Sequence, residues 1–314
     1  MGTATMFIDK IRKKNSGILV YGITPPKAIT PRERVGEIAS HSLASLTTLD
    51  IDALIVYDVQ DESVRTAEER PFPFSDSLDP LFYASEFLYP LQVPKIIYRP
   101  ASKFTREELT QWLGEMARHQ FYPIFVGLPT PDYVPKTSLK EAYAIWKKHE
   151  AESVIGAVTI PERHVLLKDE EVRMLDKVDS GVSFFVSQCI FNVAITQQML
   201  HDLKKACQDK NREIPTVIFT LTVCGSAKTL LFMEWLGIHI PADIKEELRT
   251  SADPLSRSVE MAIQTARDLT QFCITNNIPF GFNIESVAIR KVEIEASLTL
   301  INTISSMLKA EGLR

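Results

Sequence analysis

The chain has 314 residues, 45% of them hydrophobic and 24% charged, so it can bury a full core without disulfides or bound metals. A net charge of −5 excludes the basic footprint of a nucleic-acid-binding protein, and no apolar run reaches the roughly 20 residues that span a bilayer. The N-terminus lacks the pattern of a secretory signal. The four cysteines are too widely spaced for a zinc site or a disulfide framework, which indicates buried thiols in a reducing compartment. We therefore predict a cytoplasmic protein with no metal site and with neither nucleic acid nor membrane as a partner.

Short β-branched, apolar runs alternate along the chain with longer segments of helical period. Two runs, VIGAV and TVIFTLTV, are apolar almost throughout, as expected of parallel strands covered by helices on the outside. The predicted strands are 17–24, 52–59, 95–100, 122–129, 153–161, 184–190, 216–223 and 279–286. The predicted helices are 32–46, 79–89, 105–119 (opened by the capping-box pattern TREE), 137–150, 168–179, 196–209, 226–236, 241–248, 254–276 and 287–309.

Eight β-then-α units favour a (βα)8 TIM barrel, an α/β fold of one domain over residues 1–314. Extra helices precede the eighth strand and close the chain. An open doubly wound sheet is the alternative, but it calls for a glycine-rich phosphate-binding turn after the first strand, where residues 21–27 read YGITPPK. A barrel places function in the loops that follow the strands, so polar residues at strand ends are the first candidates.

Four segments resemble the methylenetetrahydrofolate reductase family. Residues 175–192 read LDKVDSGVSFFVSQCIFN and are similar to the family pattern LKxKVDAGAxxxITQxxFD. Residues 235–248, WLGIHIPADIKEEL, resemble its CGVxIPxxLxxxL segment, and residues 160–164, IPERH, resemble YPExH. YGITPPK lies where the family has FEFFPPK. The resemblance runs in order from about residue 17 to residue 310, and the chain reads as a divergent member of that family.

The resemblance implies a flavoprotein oxidoreductase of one-carbon metabolism. Such a barrel holds FAD and passes a hydride from NAD(P)H to a reduced folate. Gln188 then corresponds to the glutamine that contacts the folate, while His164 and Lys177 correspond to FAD contacts, and we add Thr24, in YGITPPK, to the cofactor-binding residues. A lysine suits a diphosphate as a point charge. The resemblance also implies a homo-oligomer.

The sequence departs from the family where the chemistry is done. The family's glutamate in FEFFPPK, its general acid, aligns with Gly22, which has no side chain to donate a proton. The aspartate that tunes the flavin after the fourth strand has no counterpart among residues 128–130, and the family's PGIxP is replaced by 220–224. Either another acid has taken over, or the barrel has kept its pocket and lost the reduction.

Four further polar residues at strand ends are candidates for the site. Asp58 and Glu285 are the candidate relocated acids, because burial at the barrel mouth raises the pKa of a carboxyl towards neutrality. Arg99 and Asn283 are candidate substrate contacts. Three of them also have a plain structural alternative: Asp58 can cap a turn, Arg99 can pair with an exposed acid, and Glu285 can be the first exposed residue of a turn. His164 can likewise cap a helix, and Lys177 can lie on a solvated face.

Three functions stay open at this point. The first is a reductase with an unusual acid, the second is a folate- or nucleotide-binding barrel that acts as a partner subunit, and the third is a reductase that uses no flavin. The long, proline-rich segment 66–77 is either a lid over the pocket or an exposed insertion.

Overall fold

The eight predicted strands close into one parallel barrel. The computed structural model describes residues 3–61, 68–127, 134–149 and 153–314. Each strand pairs with the next in chain order, and the last pairs with the first, which confirms the (βα)8 barrel. The strands are β1 Ile18–Ile23, β2 Ala53–Val56, β3 Lys95–Pro100, β4 Tyr122–Val126, β5 Gly156–Thr159, β6 Phe184–Cys189, β7 Thr216–Thr222 and β8 Phe280–Glu285.

Helices cover the outside of the barrel. They are α1 Thr3–Arg12, α2 Arg32–Leu46, α3 Pro80–Glu86, α4 Arg106–His119, α5 Leu139–His149, α6 Arg163–Leu167, α7 Glu170–Asp179, α8 Val193–Asp209, α9 Ala227–Trp235, α10 Ala242–Thr250, α11 Pro254–Asn276 and α12 Lys291–Ala310. Within the described ranges, none of these helices combines the length and the apolar character that a membrane span requires.

Local sequence signals explain most helix boundaries. Thr105 and Glu108 form the predicted capping box at the start of α4, with each side chain bonded to the other residue's backbone N–H. The helix predicted from residue 196 begins instead at Val193, because the Asn192 side chain accepts a hydrogen bond from the Ile195 N–H at 3.1 Å and caps the helix earlier. The short helix α6 was not predicted.

The core has an inner and an outer layer. Outward-facing strand residues such as Leu19 and Phe282 pack against the helices. Inward-facing residues such as Val20 and Ile218 pack against one another inside the barrel. At the amino-terminal end of the barrel the Phe7 ring of α1 closes the interior, lying 5.3 Å from the Tyr122 ring and 5.6 Å from the Phe184 ring. The opposite end, where the strands finish, is therefore the end at which a ligand meets the interior.

All four cysteines, Cys189, Cys207, Cys224 and Cys273, are buried and none forms a disulfide. This agrees with the expectation of buried thiols. Burial raises the pKa of each thiol, so these groups are held in the neutral form.

Candidate functional site

The inner layer turns polar where the strands end. Val20 of β1 is in register with Asn283 of β8, and Gly22 is in register with Glu285. Because side chains alternate between the two faces of a strand and Val20 faces inward, Gly22 and Glu285 share the last inward-facing level. The carboxyl of Glu285 thus stands on the strand beside Gly22, at the same level of the barrel.

Tyr57 fills the space that a side chain at Gly22 would need. A Cβ at this position would lie 2.7 Å from Tyr57 Cε2 and 3.0 Å from its hydroxyl oxygen, closer than atoms normally approach. The Tyr57 ring packs in turn against Tyr98 of β3, with ring centroids 4.7 Å apart. Gly22 therefore lets a tyrosine from the next strand lie over the end of β1.

Glu285 is held by three neighbours. The Tyr57 hydroxyl donates to its carboxylate. The Cys189 thiol donates to Oε1 at 3.4 Å, and Asn283 Nδ2 lies 3.3 Å from Oε2. Burial raises the pKa of Glu285, and the hydrogen bonds from Tyr57, Cys189 and Asn283 oppose that rise. The result is a carboxyl that holds a proton more tightly than usual at a fixed position in the barrel mouth.

Asn283 organises this level of the barrel. Its Nδ2 lies 2.8 Å from the Tyr57 hydroxyl oxygen and 3.1 Å from Thr220 Oγ1. The Thr220 hydroxyl donates to the Ser187 carbonyl at 2.6 Å, which links β8 to β6 through β7. The amide oxygen Oδ1 of Asn283 is buried and has no partner among the described residues. Asn283 thus presents an unused acceptor inside the barrel.

Glu162 is a second buried acid, in the loop after β5. Its side chain is 6% exposed, and neither carboxylate oxygen has a hydrogen-bond partner in the described part of the chain. Burial raises the pKa of Glu162 to about 7, its own backbone N–H opposes the rise, and the negative charge of Glu170 adds to it. Glu162 is close enough to Cys189 to raise the pKa of that thiol as well. The charge of Glu162 thus acts on the thiol that donates to Glu285.

Gln188 lies at an irregularity in β6. Between Val186 and Cys189 the pairing with β7 shifts by one residue, as in a β-bulge. Gln188 is half-buried, and its Oε1 is shielded from solvent without a partner in the described ranges. Bulges in barrels commonly re-aim a side chain next to a site, and this one sits directly before Cys189.

Asp58 and Arg99 lie together in a neighbouring pocket. Arg99 Nη1 is 3.3 Å from Asp58 Oδ2, and Arg99 Nη2 is 2.7 Å from Asp79 Oδ2. Burial raises the pKa of Asp58 to about 6 against the opposing effect of Arg99. The two residues line a cavity of about 330 Å³ whose lining includes neither Glu285 nor Asn283. The structure therefore brings four of the predicted site residues together as two pairs, Asp58 with Arg99 and Glu285 with Asn283.

The predicted flavin contacts lie apart from both pairs, and each has protein partners. His164 Nε2 is 2.9 Å from Asp202 Oδ2, and its Nδ1 is 3.0 Å from Glu171 Oε2. Lys177 Nζ donates to the Val158 carbonyl at 2.6 Å. Thr24 is exposed just after β1. His164 and Lys177 thus have partners within the protein, and their contact with a flavin stays a prediction.

The described part of segment 66–77 is fastened to the rim of the barrel; residues 66 and 67 lie outside the described ranges, as do residues 128–130. Trp235 Nε1 of α9 donates to the Glu68 carbonyl at 3.0 Å. At the other end Ala28 N donates to the Asp76 carbonyl at 2.7 Å, beside an antiparallel bridge between Lys27 and Ser77. We call residues 68–77 the strap. Its action as a lid stays a prediction.

Sequence reasoning did not select Tyr57 or Glu162 as site residues. Tyr57 follows an apolar strand directly and reads as part of it, and its role depends on the empty place at Gly22, which is a contact between two strands. Glu162 belongs to the IPERH segment, where the resemblance drew attention to His164 instead. In the described part of the chain, no group of three or more His, Cys, Asp or Glu side chains is placed to hold a metal.

The chain was compared with protein-family models, curated proteins and solved structures. No protein-family model matches it, and a search of curated proteins finds no match. Among solved structures, an uncharacterized protein from Clostridium thermocellum is 36% identical, with a TM-score of 0.82, over 95% of this chain and 99% of that one. The chain belongs to the same protein family as this Clostridium protein. That relative is described as binding two copies of 5-methyl-5,6,7,8-tetrahydrofolic acid.

More distant barrels are also similar in structure. Dihydropteroate synthase from Xanthomonas albilineans is 11% identical, with a TM-score of 0.47, over 96% of this chain and 95% of that one. The enzyme from Vibrio fischeri is 10% identical, with a TM-score of 0.47, over 94% of each chain. Similarities of this size do not indicate a shared function.

Proposed function

We propose that the barrel mouth binds a reduced folate, and that the protein is a divergent methylenetetrahydrofolate reductase-like enzyme in which Glu285 is the acid. The folate ligand is supported by the 36% identical relative, which binds 5-methyltetrahydrofolate. The acid is supported by one observation above all: Glu285 is the inward-facing partner of Gly22 in the strand register. The proton donor has thus moved by one strand and stays at the same level of the barrel.

The reaction needs a proton at a defined place. The methylene carbon bridges two folate nitrogens, and one of its carbon–nitrogen bonds must break before a hydride can add to that carbon. The nitrogen that is released takes up a proton. A carboxyl with a raised pKa is protonated often enough near neutral pH to supply it. A reduced nicotinamide or flavin supplies the hydride when it is bound.

The neighbours of Glu285 support the carboxylate that remains after proton transfer. Tyr57 and Cys189 each donate a hydrogen bond to it, so the developing negative charge meets donors that are already in position. Asn283 fixes the Tyr57 hydroxyl at 2.8 Å and thereby its direction. These three residues orient the acid and stabilise its charged form.

Asp58 is the rival acid. It also has a raised pKa, but Arg99 is 3.3 Å away and favours the ionised carboxylate. Its pocket is separate from the level of Gly22 and Glu285. We therefore expect Asp58→Asn to alter binding at most, and Glu285→Gln to abolish turnover.

The test measures folate binding and reduction separately. With 5,10-methylenetetrahydrofolate and NADH or NADPH as substrates, wild type should turn over, and Glu285→Gln should lose at least 100-fold in kcat, as is typical for removal of a general acid. Its affinity for 5-methyltetrahydrofolate should stay within a few-fold of wild type. Equal turnover in Glu285→Gln and wild type contradicts the assigned acid. Binding by wild type without turnover, under either nicotinamide, favours the alternative of a folate-binding partner subunit.

The occupied flavin contacts favour a reductase that uses no flavin as the second candidate. His164 is held between Asp202 and Glu171, and Lys177 is bonded to the barrel wall, so we route no step through FAD. The visible spectrum of the purified protein, before and after denaturation, tests this directly. Stoichiometric FAD contradicts the second candidate and supports the three carried-over contacts. A colourless protein that turns over with NAD(P)H supports it.

A further inference from the structure

We infer that Glu162 anchors the pterin ring: its carboxylate, with the amide oxygens of Gln188 and Asn283, accepts hydrogen bonds from the N–H groups of the bound folate. This inference rests on the proposed folate ligand and deepens it. It starts from buried acceptors that nothing in the described part of the chain satisfies, namely both Glu162 oxygens, Gln188 Oε1 and Asn283 Oδ1.

Other buried acids in this barrel have clear structural tasks. Glu170 Oε1 accepts from the Thr159 hydroxyl and from the Ile160 N–H, both at 2.9 Å, and so holds the end of β5. Glu293 accepts from the Gly225 N–H at 2.6 Å and holds the loop after β7. Glu170 and Glu293 each use one carboxylate oxygen in this way, whereas Glu162, which is also buried, uses neither, although buried polar groups are almost always hydrogen-bonded. A bound ligand would supply the donors that the described side chains do not.

The positions of the acceptors describe the ligand. Glu162 follows β5, Gln188 lies in β6 and Asn283 lies in β8, so the acceptors lie on the carboxyl-end half of the wall from β5 to β8. Cys189 donates to Glu285 at 3.4 Å, and the charge of Glu162 helps to raise the pKa of the same thiol. A ligand that bonds to these three acceptor residues needs several N–H donors and no negative charge on the edge that faces them.

A reduced pterin ring has that chemistry. Its 2-amino group and the neighbouring ring N–H point the same way as two parallel donors, and a carboxylate accepts such a pair in the bidentate manner known from arginine. The remaining ring N–H is free to meet an amide oxygen such as Gln188 Oε1 or Asn283 Oδ1.

Anchoring has a measurable consequence for protons. Glu170 and Cys189 face Glu162, and neither supplies a positive charge that would ionise it. N–H donors from a ligand favour the carboxylate, so binding must release the proton that the free protein holds. With a pKa of about 7, roughly three quarters of the Glu162 side chains are protonated at pH 6.5.

The experiment is titration calorimetry with 5-methyltetrahydrofolate at pH 6.5, in two buffers of different ionisation enthalpy. Wild type should bind and release between one half and one proton. Glu162→Gln should bind at least tenfold more weakly and lose that release. Glu213→Gln, the same substitution at an exposed site just before β7 at the opposite end of the barrel, should match wild type in both respects.

The outcomes separate this inference from the proposed function. If wild type does not bind the folate, both fail. If wild type binds it, and Glu162→Gln binds within twofold with unchanged proton release, the anchor is refuted while the folate site stands. Should the variant fold poorly, wild type alone decides: the same binding enthalpy in both buffers means that no proton leaves, and it overturns the inference.

Discussion

Gly22→Ala tests whether the glycine is required by the tyrosine that covers it. The added Cβ would lie 2.7 Å from Tyr57 Cε2, whereas ordinary carbon contacts begin near 3.4 Å, so the ring must retreat by about 0.7 Å. Tyr98 lies behind that ring, at 4.7 Å between centroids, and the Tyr57 hydroxyl is tied to Asn283. Because the ring has little room to move, we expect a cost of about 1–3 kcal/mol in the free energy of unfolding, the usual range for overpacking.

Equilibrium unfolding in urea measures this cost, and Gly36→Ala is the matched control. Gly36 lies in α2, and a Cβ there meets nothing within 4 Å, so the substitution should stabilise the protein by about 0.5–1 kcal/mol through helix propensity. In a protein that already carries Tyr57→Leu, Gly22→Ala should lower the free energy of unfolding by less than it does in wild type. If Gly22→Ala is as stable as wild type, or if its cost is the same with and without Tyr57, the packing argument is wrong.

Three further predictions concern stability. The pKa of Glu162 is about 7 in the folded protein against about 4.5 unfolded, so the folded state holds the extra proton and stability falls as pH rises between those values. Glu162→Gln should remove that fall, which amounts to as much as about 3 kcal/mol in the free energy of unfolding. If the free energy of unfolding changes between pH 5 and pH 8 by the same amount in the variant and in wild type, the prediction is wrong. Asp52 is buried and accepts from Lys10 at 2.6 Å and from the Leu19 N–H at 2.8 Å, so Asp52→Ala should cost about 3–5 kcal/mol in urea unfolding. The exposed ion pair of Arg34 with Glu37 makes Glu37→Ala its control, with a cost under about 1 kcal/mol. Thr105→Ala removes the cap of α4 and should cost about 1 kcal/mol, and an unchanged thermal midpoint would argue against the capping box.

The architecture could be predicted because the relevant signals are local. Strand β7, which reads TVIFTLT, lies inside its predicted range, since a run of β-branched and apolar residues fits a strand buried on both faces. Helices α2 and α11 begin and end at the predicted residues, because the helical period is local in sequence and, for α11, so is the Asp253 cap. The bulge at Gln188 was not predicted, since it depends on how β6 pairs with β7.

The site was harder to predict because its contacts cross between strands. Glu285 was selected as an acid at a strand end, yet its register with Gly22 and its bonds to Tyr57 and Cys189 appear only when the barrel closes. Asp58 and Arg99 were selected separately and turn out to be an ion pair. His164 was selected by resemblance, and the Asp202 that meets its ring lies 38 residues further along the chain, beyond the reach of any motif.

The strap gives the protein an intrinsic fluorophore at the rim of its barrel. Trp235 is the tryptophan whose indole N–H meets the Glu68 carbonyl, and its neighbour Phe232 packs on Phe72 at 5.1 Å. Trp112 and Trp146 are buried in the helical layer away from this contact, and their indole nitrogens have no partner in the described ranges. Detachment of the strap would therefore change the emission of one tryptophan in three. Stopped-flow emission would therefore test whether the strap acts as a lid, without an attached dye.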